Sequence, residues 1–160
     1  MKQLMSLYYG IKIKRLTKVK LHLGYAGYCL AKETHTIKGG NNINVKFNAL
    51  WALIHHPVNG YILFDTGYTK RFFEATKKYP NKLYANLTKV VLKKSEEVKE
   101  QLKKNNIDCN EIKHIIISHF HADHVGGLKD FKNAKIHVSK AALNQVNKIP
   151  KFLAFSKGIL

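Results

Sequence analysis

The sequence has few arginines, cysteines and acidic residues, and these shortages narrow the class of protein. Arginine occurs only at Arg15 and Arg71. Cys29 and Cys109 are the only cysteines and form no CxxC pair, which excludes a disulfide framework. One disulfide could join them, but two free thiols in a reducing cytosol are the simpler expectation. Only ten Asp and Glu residues oppose the basic ones, which leaves a formal net charge of +18.

Long apolar runs are missing as well. No run approaches the ~18 residues that a membrane-spanning helix needs. The apolar piece that ends at Ile11 is interrupted by Gly10 and followed by Lys12, and it is too short for a signal peptide. We therefore expect a cytoplasmic protein without a transmembrane segment. With 45% apolar residues, no internal repeat and no low-complexity linker, residues 1–160 are expected to form a single domain.

The excess of positive charge comes from lysines that are spread along the whole chain. Charge of this size is compatible with a nucleic acid, an anionic membrane surface or an acidic substrate as a partner. A stacking surface for nucleic acid also needs aromatic residues interleaved with the basic ones, and the lysines do not cluster in that way. A nucleic-acid partner is therefore the less favoured alternative.

Alternating apolar residues and turn residues predict strands in the first part of the chain. The predicted strands cover residues 19–30, 45–54 and 61–64, and the Gly- and Asn-rich stretch 39–42 predicts a loop between the first two. Asn59-Gly60 precedes the last strand and is a strong hairpin signal. This part of the chain is expected to form an antiparallel meander.

The apolar periodicity then changes to that of helices alternating with strands. The further elements are predicted in this order: helix 69–79, helix 95–104, strand 112–118, strand 135–138 and helix 140–146. Strands followed by strand–helix alternation indicate an α/β fold in which helices cover one face of a mixed sheet.

Several residues predict where these helices begin and end. Ser95 and Ser139 are expected to be N-caps, and Pro80 is expected to end the first helix. The lysine-rich stretch 93–104 is expected to be a solvated helix face, with an apolar stripe at Val98 and Leu102.

The sequence His119-Phe120-His121-Ala122-Asp123-His124 follows an apolar strand and is closed by two glycines. Imidazole nitrogen and carboxylate oxygen are common ligands of zinc and other divalent transition metals. Side chains two residues apart on a strand point to the same side, so His119 and His121 can approach one metal, and Asp123 and His124 a second position nearby. A solvated histidine-rich loop that binds nothing is the alternative, and four ligand-type side chains at a strand end make it the weaker one.

A second carboxylate lies at another strand end, in Asp65-Thr66-Gly67. Considered alone, this triplet is typical of a plain turn in which Asp65 caps the following helix.

The two strand-end segments together resemble the metallo-β-lactamase superfamily, whose defining motif is HxHxDH after an apolar strand, with DTG upstream. The stretch between the segments, residues 68–76, looks like a bacterial branch of metallo-hydrolases, and more distantly it is similar to the N-acyl-homoserine-lactone lactonases. The resemblance implies the N-terminal part of an αβ/βα sandwich.

The resemblance also implies roles for individual residues. His119 and His121 match the ligands of a first zinc ion, and Asp123 and His124 match those of a second. Asp123 is also implied as the catalytic residue that contacts the nucleophilic water. Asp65 matches a carboxylate that supports the metal-binding region from behind.

Members of that family are considerably longer than this chain, and their second half supplies another His, a bridging Asp and a final His. No Asp follows Asp130 here. We therefore expect residues 1–160 to be a truncated domain, the N-terminal half to two-thirds of the complete one. A fragment of a longer enzyme, a split gene product and a half-domain that forms a homodimer are the alternatives, and the fragment is favoured.

The resemblance implies a metallo-hydrolase in which a metal-bound hydroxide attacks an ester, lactone or similar small acyl substrate. Two zinc ions are expected in the complete site and partial or no binding in this chain alone, which is then inactive or impaired. A phosphodiesterase acting on nucleic acid and a non-catalytic module that keeps a relic motif are the alternatives. Association with a missing C-terminal half is a further expectation.

Overall fold

The computed structural model describes residues 17–148, which form a six-stranded mixed sheet with helices packed on it. The apolar piece ending at Ile11 and residues 151–160, for which the sequence predicts no element, lie outside the described residues.

The strand order across the sheet is β4-β1-β2-β3-β5-β6. The strands from β4 to β3 pair antiparallel, while β3 pairs parallel with β5 and β5 with β6. The predicted meander and the mixed α/β sheet are thereby confirmed. The strands are β1 (Lys20–Lys32), β2 (Asn44–His56), β3 (Gly60–Phe64), β4 (Lys89–Val91), β5 (Ile112–Ile116) and β6 (Lys135–His137).

The hairpin between β2 and β3 turns where the sequence predicts it. His56 pairs with Gly60 in an antiparallel register, and Gly60 has a φ of +69°, in the left-handed region that glycine adopts without a steric cost. Val58 and Asn59 donate their backbone N–H groups to Nδ1 of His56, at 3.1 and 3.0 Å.

The helices are short, and residues 17–148 also contain four single turns of 3₁₀ helix, one between β1 and β2 and three among the helices. The α-helices are α1 (Arg71–Ala75), α2 (Asn81–Leu87), α3 (Val98–Lys104), α4 (Ala122–Val125) and α5 (Lys140–Lys148). The 3₁₀ turns cover Glu33–His35, Lys94–Glu96, Cys109–Glu111 and Leu128–Asp130. The hydroxyl of Ser139 accepts from the backbone N–H of Ala142 at 3.1 Å, as the predicted cap of α5 requires.

The helix predicted for residues 69–79 is shorter than expected and is followed by a second helix. Thr76 ends α1, and its hydroxyl donates to the carbonyl of Phe72 at 2.8 Å, a side-chain bond that competes with helix continuation. Pro80 then stands at the N-cap of α2, where its fixed φ and missing N–H are tolerated. The short strand β4 that follows α2 was not predicted either, and the strand predicted for 112–118 ends at Ile116.

The stretch 93–104 is only in part the solvated face that its lysines predict. Val98 and Leu102 are buried as expected, but so is Glu97, with 1% of its surface exposed. Glu97, and not Ser95, is the N-cap of α3. Its Oε1 accepts from the backbone N–H of Lys70 at 3.0 Å and its Oε2 lies 3.4 Å from Nζ of Lys99, so the carboxylate joins α3 to the start of α1.

The hydrophobic core lies between the sheet and these helices. Leu63 and Ile115 are fully buried neighbours on β3 and β5, and Phe72 and Leu102 pack against the same side. The opposite side of the sheet carries exposed apolar residues, with Leu23 on β1 and Phe64 on β3 among them. No helix within residues 17–148 is long and apolar enough to span a membrane, and Cys29 and Cys109 are both free thiols.

Candidate metal centre

The two strand-end segments meet because β3 and β5 are parallel neighbours. Parallel strands end at the same edge of a sheet, so the residues after Phe64 and after Ile116 leave the sheet side by side. The backbone N–H of Asp65 donates to the carbonyl of Ile116 at 2.9 Å, which extends the pairing one step beyond the strand. Segments that are more than fifty residues apart in the chain therefore form one cluster.

Asp65 is the anchor of that cluster. It is 2% exposed and has a φ of +58°, a conformation that Asp tolerates better than most residues. Oδ1 accepts from the backbone N–H of Ser118 at 2.9 Å, and Oδ2 accepts from the Ser118 hydroxyl at 2.7 Å. Oδ2 also lies 2.7 Å from Nδ1 of His124. The carboxylate caps no helix, since the N-cap of α1 is Lys70 without a side-chain hydrogen bond, so the interpretation as a plain capping turn is wrong.

The four side chains with metal-ligand chemistry come together beside Asp65. Nε2 of His119 lies 3.0 Å from Nδ1 of His121, and Nε2 of His124 lies 3.1 Å from Oδ2 of Asp123. The rings of His119 and His124 connect these two pairs, with centroids 4.0 Å apart. The structure thus gathers His119, His121, Asp123 and His124 into one cluster, arranged as two pairs of donor atoms.

The donor chemistry of these pairs suits zinc, but each pair is smaller than a zinc site. A catalytic zinc ion usually has three protein ligands and one open position. Within residues 17–148, no group of three or more His, Cys, Asp or Glu side chains is arranged to hold one metal ion. Asp65 contacts Nδ1 of His124, and Nε2 on the other side of the ring faces Asp123, so the imidazole is held between two carboxylates.

The electrostatics differ between the two pairs. Burial, together with the neighbouring His124 and His121, lowers the pKa of His119, which favours the neutral imidazole that binds metals. Burial also lowers the pKa of His124, but hydrogen bonds to Asp123 and Asp65 outweigh it and raise that pKa to about 9. Burial raises the pKa of Asp123, but the hydrogen bond from His124 lowers it and is part of a larger opposing effect. The pKa is lowered overall, so the group is a carboxylate at neutral pH.

Two residues that hold the cluster together were not predicted as site residues. The hydroxyl of Ser118 lies 3.0 Å from Nδ1 of His119 and 3.2 Å from Nδ1 of His124, so it connects both pairs to Asp65. Thr66 donates both its backbone N–H and its hydroxyl to the carbonyl of His124, at 2.8 and 2.7 Å. The sequence feature that could have identified them is adjacency to predicted site residues, because Ser118 directly precedes His119 and Thr66 directly follows Asp65.

The glycines after the histidine cluster are required by close packing against Asp65-Thr66-Gly67. A Cβ atom on Gly127 would lie 2.7 Å from the carbonyl oxygen of Thr66, and one on Gly126 would lie 2.6 Å from that of Gly67. Neither distance is available to a real side chain, so only glycine allows the two segments to approach this closely.

Another pair of histidines lies apart from the cluster, on β5 and β6. Nδ1 of His114 is 2.9 Å from Nε2 of His137.

Fold and site together define an α/β protein whose sheet edge carries a histidine- and aspartate-rich cluster with the ligand chemistry of a metal centre. The sequence profile of the metallo-beta-lactamase superfamily matches residues 46–155, and the chain belongs to that superfamily. This confirms the resemblance inferred from the HxHxDH and DTG segments.

Curated relatives in two mycobacteria are described as hydrolases. A probable metallo-hydrolase of Mycobacterium bovis and one of Mycobacterium tuberculosis are each 26% identical to this chain over 90 residues. The match covers 56% of this chain and 28% of each relative. This chain therefore spans only a small part of the relatives that it matches.

Solved structures share the fold at low sequence identity. An N-acyl homoserine lactone hydrolase with the product N-hexanoyl-L-homoserine at its catalytic metal centre superposes with a TM-score of 0.72 at 19% identity. A dizinc quorum-quenching lactonase gives 0.57 at 18% identity, and a probable metal-dependent hydrolase from Staphylococcus aureus gives 0.63 at 15%. The first similarity covers 89% of this chain and 56% of the other, so this chain spans little more than half the length of that protein.

Proposed function

We propose that this chain is the N-terminal, ligand-bearing part of a zinc-dependent hydrolase that acts on an ester, lactone or similar acyl substrate. The observation that carries the proposal is the hydrogen-bonded chain from Asp65 to Nδ1 of His124 and from Nε2 of His124 to Asp123. A carboxylate behind an imidazole whose other nitrogen faces a further donor is the arrangement that orients metal ligands.

The two donor pairs divide the ligands between two metal positions. His119 and His121 would hold one zinc ion, and Asp123 and His124 the other. When bound, zinc lowers the pKa of water from 15.7 to about 7 and polarises the carbonyl under attack. Each pair leaves at least one protein ligand to be supplied from elsewhere, so the affinity of this chain alone is expected to be weak.

Asp123 is the residue that would act on the reacting atoms. Its side chain is 27% exposed, so it is reachable from solvent, whereas Asp65 behind His124 is buried. Its lowered pKa keeps it ionised at neutral pH, so it can accept a hydrogen bond from the attacking water and fix the direction of attack. We assign to the same carboxylate the uptake of a proton from that water and its transfer to the leaving group.

The acyl class of substrate rests on likeness to the lactone hydrolases in fold. One of them holds the product N-hexanoyl-L-homoserine at its catalytic metal centre, and the dizinc lactonase is in complex with a product, but at 19% and 18% identity the likeness extends only to the fold. The small-molecule substrate is therefore proposed by analogy, and a phosphodiester is the competing class that the net charge of +18 favours.

The test is a hydrolysis assay on zinc-supplemented protein with three probes: an N-acyl homoserine lactone, a p-nitrophenyl ester and bis-p-nitrophenyl phosphate. Because each metal position lacks at least one ligand, we expect only slow turnover of the acyl probes, which is lost with a chelator and reduced at least ~100-fold by Asp123→Asn. Glu74→Gln, which removes the same charge from an exposed position on α1, is the matched control and should be unchanged. Turnover of the phosphate alone would replace the acyl proposal, and turnover that survives both chelator and Asp123→Asn would refute it.

A further inference from the structure

Arg71 contacts Gly126 and Asp130, just after the proposed ligands, although it stands more than fifty residues before them in the chain. Its Nη1 and Nη2 donate to Oδ1 and Oδ2 of Asp130, at 3.0 and 2.5 Å, in a bidentate pair. Its Nε and Nη2 donate to the backbone carbonyl of Gly126, at 3.2 and 3.1 Å. The guanidinium therefore binds a side chain on one edge and the main chain on the other.

The Gly126 carbonyl lies at the end of α4, the helix on which Asp123 and His124 stand. Gly126 is the C-cap of this four-residue helix. A helix of one turn has too few internal hydrogen bonds to be stable alone, so its direction depends on contacts from outside. A cation that donates to the last carbonyls compensates both the unpaired acceptors and the negative end of the helix dipole.

Other residues of the segment that follows β3 also hold α4 in place. The hydroxyl of Thr69 donates to the Gly126 carbonyl at 2.9 Å, so this oxygen accepts from two side chains of the segment after β3. At the start of the same segment, Asp65 and Thr66 hold His124. Arg71 and Thr69 thus hold the C-terminal end of α4 through Gly126, while Asp65 holds His124 within the helix.

The choice of arginine at this position is itself informative. The chain has 28 basic residues and uses lysine at all but two of these positions, so arginine is not its default cation. A lysine ammonium is a point charge on a flexible stem, whereas the planar guanidinium can serve a carboxylate and a carbonyl at once. The side chain is 19% exposed, and its partner Asp130 is 13% exposed, so this cation is selected for geometry and not for solubility.

We infer that Arg71 is a positioning residue of the metal centre: through the Gly126 carbonyl it sets the direction of α4 and with it the placement of Asp123 and His124. The inference rests on the proposed function, since it concerns the same centre. Arg71 touches neither the proposed metal positions nor the reacting atoms, so it acts through the backbone of the turn.

The test compares Arg71→Gln and Arg71→Lys with the wild-type chain and with Lys70→Gln. Lys70 is exposed and adjacent, so its replacement removes the same charge without removing a contact to Gly126. Amide hydrogen exchange is measured first, without metal. In Arg71→Gln we expect at least tenfold faster exchange at the His124, Val125 and Gly126 amides, which form the hydrogen bonds of α4, and no change in β2. Arg71→Lys should recover global stability but only part of this local protection.

Zinc affinity is then measured by competition with a chelating dye, under conditions in which every variant is folded. We expect a tenfold or larger loss for Arg71→Gln and none for Lys70→Gln. Unchanged exchange in α4, equal acceleration in β2, or wild-type zinc affinity in folded Arg71→Gln would overturn the inference. If the wild-type chain binds no zinc, the weak affinity proposed for its two donor pairs is refuted, and the exchange experiment still decides whether Arg71 positions α4.

Discussion

Replacing Asp65 with asparagine is the most informative single change, because it removes a charge while keeping the shape of the side chain. The carboxylate makes three contacts at 2.7–2.9 Å with Ser118 and His124 and is buried. An amide can still accept from the Ser118 backbone through its oxygen. Its NH₂ group, however, donates toward Nδ1 of His124, where the wild-type residue accepts.

The size of the effect follows from these contacts. A hydrogen bond to a charged group contributes ~1.5–3 kcal/mol, and loss of one partner of a buried ion pair costs ~3–5 kcal/mol. Because the asparagine retains the backbone bond, we expect Asp65→Asn to lower the free energy of unfolding by about 3 kcal/mol. A donating amide also favours the His124 tautomer with its proton on Nε2, the atom that faces Asp123, so zinc affinity should fall roughly 10–100-fold.

The assay is urea unfolding followed by the fluorescence of Trp51. This is the only tryptophan in the chain, and it is buried, so its emission reports on the core. Glu74→Gln is the control for loss of one negative charge at an exposed position. An unfolding midpoint and a zinc affinity for Asp65→Asn that equal those of Glu74→Gln would refute the role given to Asp65.

Two further predictions concern packing and thiol chemistry. Gly127→Ala should lower the free energy of unfolding by about 1–3 kcal/mol, because the new Cβ would meet the Thr66 carbonyl at 2.7 Å; an unfolding midpoint equal to that of the wild type would show that the contact is absent. Burial raises the pKa of Cys29 even though a hydrogen bond with Tyr68 lowers it, so alkylation by iodoacetamide at pH 8 should be slower at Cys29 in the folded protein than after unfolding in urea. Equal rates, measured by peptide mass spectrometry, would contradict this environment for Cys29.

The cluster itself could be predicted because its chemistry is local in sequence. His119, His121, Asp123 and His124 lie within six residues, and the apolar run before them identifies the strand whose end they occupy. Asn59-Gly60 likewise specifies its hairpin through turn chemistry alone. Asp65 was ambiguous on local grounds, and only the family resemblance implied a supporting role for it, since the parallel pairing that joins it to Ser118 and His124 is not visible in its sequence neighbours.

The features that could not be predicted from the sequence depend on contacts between segments that are far apart in the chain. Glu97 is surrounded by lysines in sequence and resembles a solvated residue, yet its carboxylate is buried against the backbone of Lys70. In the sequence Arg71 is one of many basic residues, and only the fold shows that it contacts Gly126 and Asp130. Local propensity also failed at α1, where the hydroxyl of Thr76 ends a helix that the apolar periodicity would continue.

The claim at the centre of this account is that the histidine cluster binds zinc. It is tested most directly by the zinc affinity of His121→Ala beside that of His35→Ala, a change at an exposed histidine remote in sequence from the cluster, measured by dye competition at pH 7.5. We predict about tenfold or greater weakening for His121→Ala and no change for His35→Ala. Equal affinities for the two variants, or no zinc binding by the wild-type protein, would contradict the assignment.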